Sequence, residues 1–214
     1  MGPLQGQEPR RNCPQQIRQR PRQTRRLALS LARRKSPKEK GDANAVVEMN
    51  DSLAVGVDRF VAAARSFVRW CESPHVDDDP DVFRRETLGL LAELYAAAQH
   101  LPEDVYGDGP DVPNEPAGRR EELIANLAPL PFQLYWEALE PANLDKDGSI
   151  ACADIFDDLV DIHSDLADGL WLHDQGYPDD AVWHWRLLYF HWGHHVIGAM
   201  HALHLYEQPE VAAE

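Results

Sequence analysis

Two neighbouring stretches of this chain carry its clearest alternation of apolar and polar positions. In residues 153–172, Ile155, Leu159, Ile162, Leu166 and Leu170 recur at three- and four-residue intervals and form one apolar stripe. Asp154, Asp158, Asp161, Asp165 and Asp168 fall within about 80° of one another on the other side, at 100° per residue. The stretch from Ala181 to Leu205 behaves differently. Trp183, Trp185, Tyr189, Phe190 and Trp192 surround it on every side, as in a helix buried among others. One narrow stripe interrupts it: His184, His191 and His195 lie within about 40° of each other. The connection HDQGYPDD (173–180) is short, with Gly176 placed to end one helix and Pro178 to open the next. Such a turn makes the two helices antiparallel neighbours, Asp stripe beside His stripe.

The same periodicity predicts three more helical segments. The first runs from about Asp51 to Cys71, with Asp51 or Ser52 as cap and Val57, Phe60, Val61, Ala64, Phe67 and Val68 facing inward. The second runs from about Pro80 to His100, behind the acidic turn 77–81. Residues 102–118 hold four prolines and three glycines and read as a long surface loop. A third segment, from Arg119 to about Ala138, should break or kink at Pro129 and Pro131, with PFQLYWEAL supplying aromatic surface for burial. The expected architecture is all-α: one bundle of about five helices spanning 49–207, between a disordered basic tail (1–48) and a short disordered C-terminus (208–214).

Charge sharpens the boundary at the first of these ends. The formal net charge of the 214 residues is −15, yet residues 1–40 hold twelve Lys/Arg against Glu8 and Glu39, so the remainder carries −25. The tail has too few large apolar residues to bury, and its composition is that of a disordered segment. Read functionally it is a nucleic-acid-binding arm or an Arg-rich targeting peptide. The step in composition at Met49 suggests instead that translation begins there, which N-terminal mass analysis of native protein would settle. An acidic body repels nucleic acid and anionic membranes and suits a basic protein partner. No apolar run approaches the ~20 residues that span a bilayer. Three cysteines without CxxC or framework spacing point to a reducing compartment, so the expected location is the cytoplasm.

Candidate chemistry is confined to a few places. His191 and His195, four residues apart on a helix, can reach one divalent ion; His184 lies on the same stripe, and Asp158, Asp161 or Asp165 could supply oxygen ligands. The same stripes can equally pair as plain hydrogen bonds and ion pairs across a helix interface. Asp154, Asp157, Asp158 and Asp161 have the spacing of a Mg²⁺ site, but only Lys146 and Arg186 lie near in sequence to receive phosphate. NLDKDGSIACAD (143–154) resembles an EF-hand loop weakened by Asn at its first position and Asp at its last. His163 lies within the apolar stripe of its helix and reads as a hydrogen-bonded core histidine. Function therefore divides between an interaction or accessory module for a basic partner and a hydrolase-like, metal-dependent enzyme.

Three segments carry a resemblance: LPFQLYWEALEP, the run Asp157–Leu170, and the pair Ala181–Arg186 and His191–His195. Across about residues 52–206 the chain resembles a bacterial family known only as a domain of unknown function, of the DUF5063 type. That resemblance implies a small all-helical protein and no assigned activity. It also implies that tyrosine is commoner than histidine at position 163, which speaks against a catalytic role for His163.

Overall fold

A computed structural model of the chain describes residues 43–75, 78–139, 141–142 and 150–206, with side chains from Ala54 onward. The expected tail and C-terminus fall largely outside these residues, as do Asp77 and most of the EF-hand-like stretch. The fold is mostly helical, with six helices and one two-stranded sheet among the described residues. In chain order these are α1 (Ala43–Glu72), α2 (Pro80–Ala98), α3 (Arg119–Asn126), β1 (Leu134–Ala138), β2 (Ile150–Asp154), α4 (Ile155–Asp174), α5 (Pro178–Leu187) and α6 (Tyr189–Tyr206).

Helix α4 is the hub, packed against α1, α3, α5 and α6. Its apolar stripe, Ile155, Leu159, Ile162, Leu166 and Leu170, is buried as the periodicity predicts. Both ends are set by local chemistry. The Asp154 carboxylate caps the start, accepting from the amides of Phe156 and Asp157. At the other end Gly176 adopts φ 86°, and the amides of Gly176 and Tyr177 donate to the carbonyls of His173 and Leu172. Pro178 then opens α5.

The core beneath α4 is built on tryptophan. Trp185 and Trp192 are fully buried, and Phe60 of α1 meets Trp185 edge-on at 4.9 Å. Both indole N–H groups find carbonyls, Trp185 at Leu166 (3.2 Å) and Trp192 at Trp185 (2.9 Å). Arg84 of α2 is also buried and donates to the Leu203 carbonyl near the end of α6 (3.2 Å).

Three expectations need correction. The first helix starts at Ala43, so Asp51 and Ser52 lie within it and do not cap it. The helix expected over Ala181–Leu205 is two helices, interrupted at Leu188 (φ −92°, ψ 2°). No proline or glycine marks that break; the indole of Trp192 holds it by taking the Trp185 carbonyl. The third helix stops at Asn126, and Leu134–Ala138 is a strand paired antiparallel with Ile150–Asp154, Trp136 opposite Cys152. Its pleat turns Tyr135 and Glu137 inward and leaves Leu134 and Trp136 exposed, so PFQLYWEAL buries less aromatic surface than expected.

Candidate functional site

Helices α4 and α6 do face each other with aspartates against imidazoles. His195 Nδ1 lies 2.7 Å from Asp158 Oδ1, and His191 Nδ1 lies 2.7 Å from Asp165 Oδ2. A carboxylate can only accept, so each Nδ1 carries the proton. Nε2 is thereby left as the lone-pair nitrogen of each neutral ring. Asp158 and Asp165 are buried, while the histidines are partly exposed, so the anchored side of each pair is the interior one.

The hairpin completes this arrangement. Tyr135 of β1 donates its hydroxyl to Asp158 Oδ2 at 2.6 Å, so both oxygens of that carboxylate are engaged. Glu137, two residues on and on the same face of the strand, lies 3.4 Å from His194 Nε2. Beside them Arg120 of α3 reaches across to Asp157 and, at 3.3 Å, to Asp161 Oδ1. The other oxygen of Asp161 is 3.9 Å from His195 Nε2.

Of the residues expected at a metal, three converge. One ligand atom each from Asp161, His191 and His195 lies within 4.8 Å of the others, the one such His/Cys/Asp/Glu group among the described residues. Asp158 and Asp165 stand behind it, each holding an imidazole by Nδ1. His184 is elsewhere. The break at Leu188 separates α5 from α6, and His184 is buried beside a cleft lined by His163 and Asp168. The proposed Mg²⁺ set is dispersed in function: Asp154 caps α4, Asp157 pairs with Arg120, and Asp158 serves Tyr135 and His195. The five-aspartate stripe therefore divides among a cap, two imidazole anchors, a converging ligand and the cleft residue Asp168.

Electrostatics follow from this packing. Burial alone would lower the pKa of His195. The hydrogen bond that His195 donates to Asp158 and the charges of Asp158, Asp161 and Asp165 outweigh it and raise the pKa above the usual histidine value. For Asp157, burial outweighs the opposing pull of Arg120 and its pKa is raised. Burial, with the nearby Asp158 charge, pushes the Tyr135 phenol far up, so it stays a hydrogen-bond donor.

Sequence reasoning missed Tyr135, Glu137 and Arg120. Once β1 is read as a strand, alternation puts Tyr135 and Glu137 on one face; nothing local in the sequence signals Arg120, which is 37 and 41 residues from its partners.

Comparison with known proteins agrees with this architecture and adds no activity. No curated protein matches the sequence. The crystal structure of protein BF1032 from Bacteroides fragilis, a structural genomics target, is similar with a TM-score of 0.58 and 24% identity. The match covers 74% of this chain and 96% of that one, and the likeness is one of fold. Residues 52–208 match the family model described as a domain of unknown function, DUF5063, and the chain belongs to that family.

Proposed function

We propose that the protein binds a divalent metal ion through Asp161, His191 and His195 and that this site is its functional centre. The observation that carries the reading is the pair of carboxylates behind the imidazoles. Asp158 and Asp165 fix the tautomer and orientation of His195 and His191, as the outer-shell carboxylates of metal sites do. Two imidazoles and one carboxylate suit borderline ions such as Zn²⁺, Fe²⁺ or Ni²⁺ better than Mg²⁺ or Ca²⁺. An ion held by three protein ligands keeps positions open for water or substrate and supplies Lewis acidity there. On that basis the reaction class is metal-assisted hydrolysis. Tyr135 steadies Asp158, and Arg120 balances Asp157 and Asp161.

The competing reading, an accessory module for a basic partner in the cytoplasm, has the net charge of −15 behind it. Charge alone names no surface, and part of the acidity is already answered by Arg65, Arg119 and Arg120. Elemental analysis of protein purified without a polyhistidine tag separates the two. The expected result is close to one equivalent of a transition metal, lost when His191 and His195 are both replaced by alanine. Metal-free wild-type protein that takes up no ion on dialysis, or metal retained by the double variant, would overturn the assignment.

A further inference from the structure

Helix α6 is the one helix among those described with no formally charged side chain. Tyr189–Tyr206 holds no Asp, Glu, Lys or Arg, in a chain of which 27% is charged. Its inner face is buried through Trp192, Val196, Ala199 and Leu203. On its outer face Phe190, His194, Ile197, His201 and Leu205 fall within about 80° of one another and run about 22 Å along the helix. All five are exposed, Phe190 by 66%, Ile197 by 52% and Leu205 by 47%. Among the described residues the ion-pair partner of this stripe is the half-buried Glu137, 3.4 Å from His194 Nε2.

The order of residues in the stripe is self-complementary. Apolar and imidazole positions alternate, Phe–His–Ile–His–Leu, and the types read alike from either end. Two copies laid antiparallel about a two-fold axis between Ile197 and Gly198 set Phe190 against Leu205 and His194 against His201. Both Ile197 side chains then lie near the axis. An isologous interface requires such a match of one surface with itself. A neutral imidazole donates at one nitrogen and accepts at the other, so His194 and His201 can pair across the axis without charge.

Charge selects the same occupant. Each chain carries −15, so two copies repel over most of their surface and approach most readily along a helix that bears no acid. A basic partner finds no carboxylate on α6 to pair with. The area suits a reversible contact. A large side chain exposed by half offers about 100 Å². With His204 beside the five, a pair of copies would bury roughly 1,100 Å², close to the ~1,000 Å² that a specific interface needs.

We infer that the outer stripe of α6 is an antiparallel two-fold interface between two copies of this chain, formed reversibly with concentration.

Sedimentation equilibrium of the full, untagged chain at about 1–200 μM tests this, with a chelator present so that no ion bridges imidazoles. The average mass is expected to climb from one chain toward two, with Kd on the order of 10 μM. Association should tighten severalfold between about 0.02 and 0.3 M salt, because screening relieves the repulsion of two acidic bodies. Ile197→Glu, which sets two carboxylates at the axis, should weaken it roughly tenfold or more with an unchanged circular dichroism spectrum. Phe190→Glu should weaken it too, and adding Leu205→Lys should restore it. Those two positions lie about 22 Å apart within one chain and meet only across the axis. Four outcomes would each overturn the inference: a monomer at about 200 μM, indifference to Ile197→Glu, loosening as salt rises, or no recovery in the Phe190→Glu/Leu205→Lys variant. The chelated protein carries no ion, so the interface and the metal centre can fail independently.

Discussion

At the scale of single residues, the Asp158–His195 pair is the most consequential contact. Asp158 is 5% exposed and receives two donors, so its replacement by alanine leaves a half-buried imidazole and a half-buried phenol without their acceptor together. A loss of about 1–3 kcal/mol for each stranded donor is expected in chemical denaturation. Asp158→Asn keeps an acceptor but removes the charge, so the His195 titration midpoint, followed by NMR of the ring proton, should fall. Tyr135→Phe should move it the other way, because a carboxylate relieved of one donor attracts the imidazolium more strongly. The folded-state pKa of His195 is raised, so its contribution to stability is complete below the ordinary value of about 6.5 and is lost as pH rises through the raised one. His163 has the opposite sign: its pKa is lowered, and its contribution, present above about 6.5, is lost as pH falls toward the folded value. Asp158→Asn should therefore flatten the alkaline side of the wild-type stability profile and leave the acid side alone. The candidate ligands were legible in the sequence because i, i+4 spacing is a property of one helix. Their separate duties were not, since whether an aspartate anchors, ligates or caps depends on what packs opposite it.

Among the elements, the contact between α4 and α5 is the tightest. Gly169 lies against the indole of Trp185, and a Cβ there would fall within that ring system. Trp185 cannot retreat, because its N–H is bound to Leu166 and its edge packs on Phe60. Gly169→Ala is expected to lower stability by at least about 1–3 kcal/mol through overpacking, read as a reduced denaturant midpoint with unchanged slope. Serine or alanine at the open position Gly89 of α2, where a Cβ would meet nothing, should not reduce stability. Helices α2 and α4 were legible because their caps and stops are written in Asp79-Pro80 and Gly176-Tyr177-Pro178. The break at Leu188 and the hairpin were not. The first is held by the Trp192 indole reaching back seven residues to the Trp185 carbonyl, and the strands stabilise each other only when paired, a non-local condition that a periodicity scan does not contain.

For the molecule as a whole, α4 presents its Asp/His face toward α6 and, further along its length, lines a cleft together with α5 and residues 107–116. No helix among the described residues is long and apolar enough to cross a membrane. If an ion binds the native state alone, ligand linkage supplies about 2.7 kcal/mol at a hundredfold excess over Kd. For a chain of this length that corresponds to a rise in Tm of roughly 5–10 °C. Thermal scans with Zn²⁺ or Ni²⁺ should show it, and chelator or the His191/His195 double alanine variant should abolish it; a rise that survives the double variant would place the ion elsewhere.

Arg120 gives this centre a property of its own. Because its guanidinium rests against Asp157 and Asp161, and because the imidazoles are moored to Asp158 and Asp165, each of the four acids has a hydrogen-bond or ion-pair partner within the fold itself. Small zinc-built domains collapse when stripped; here the tryptophan-centred core contains none of the proposed ligands, so the fold is expected to survive removal of an ion from the proposed site, with an unchanged circular dichroism spectrum after chelation. On the proposed reading, an ion would load and leave while the scaffold stays folded, as suits a reversible occupant better than a permanent structural rivet.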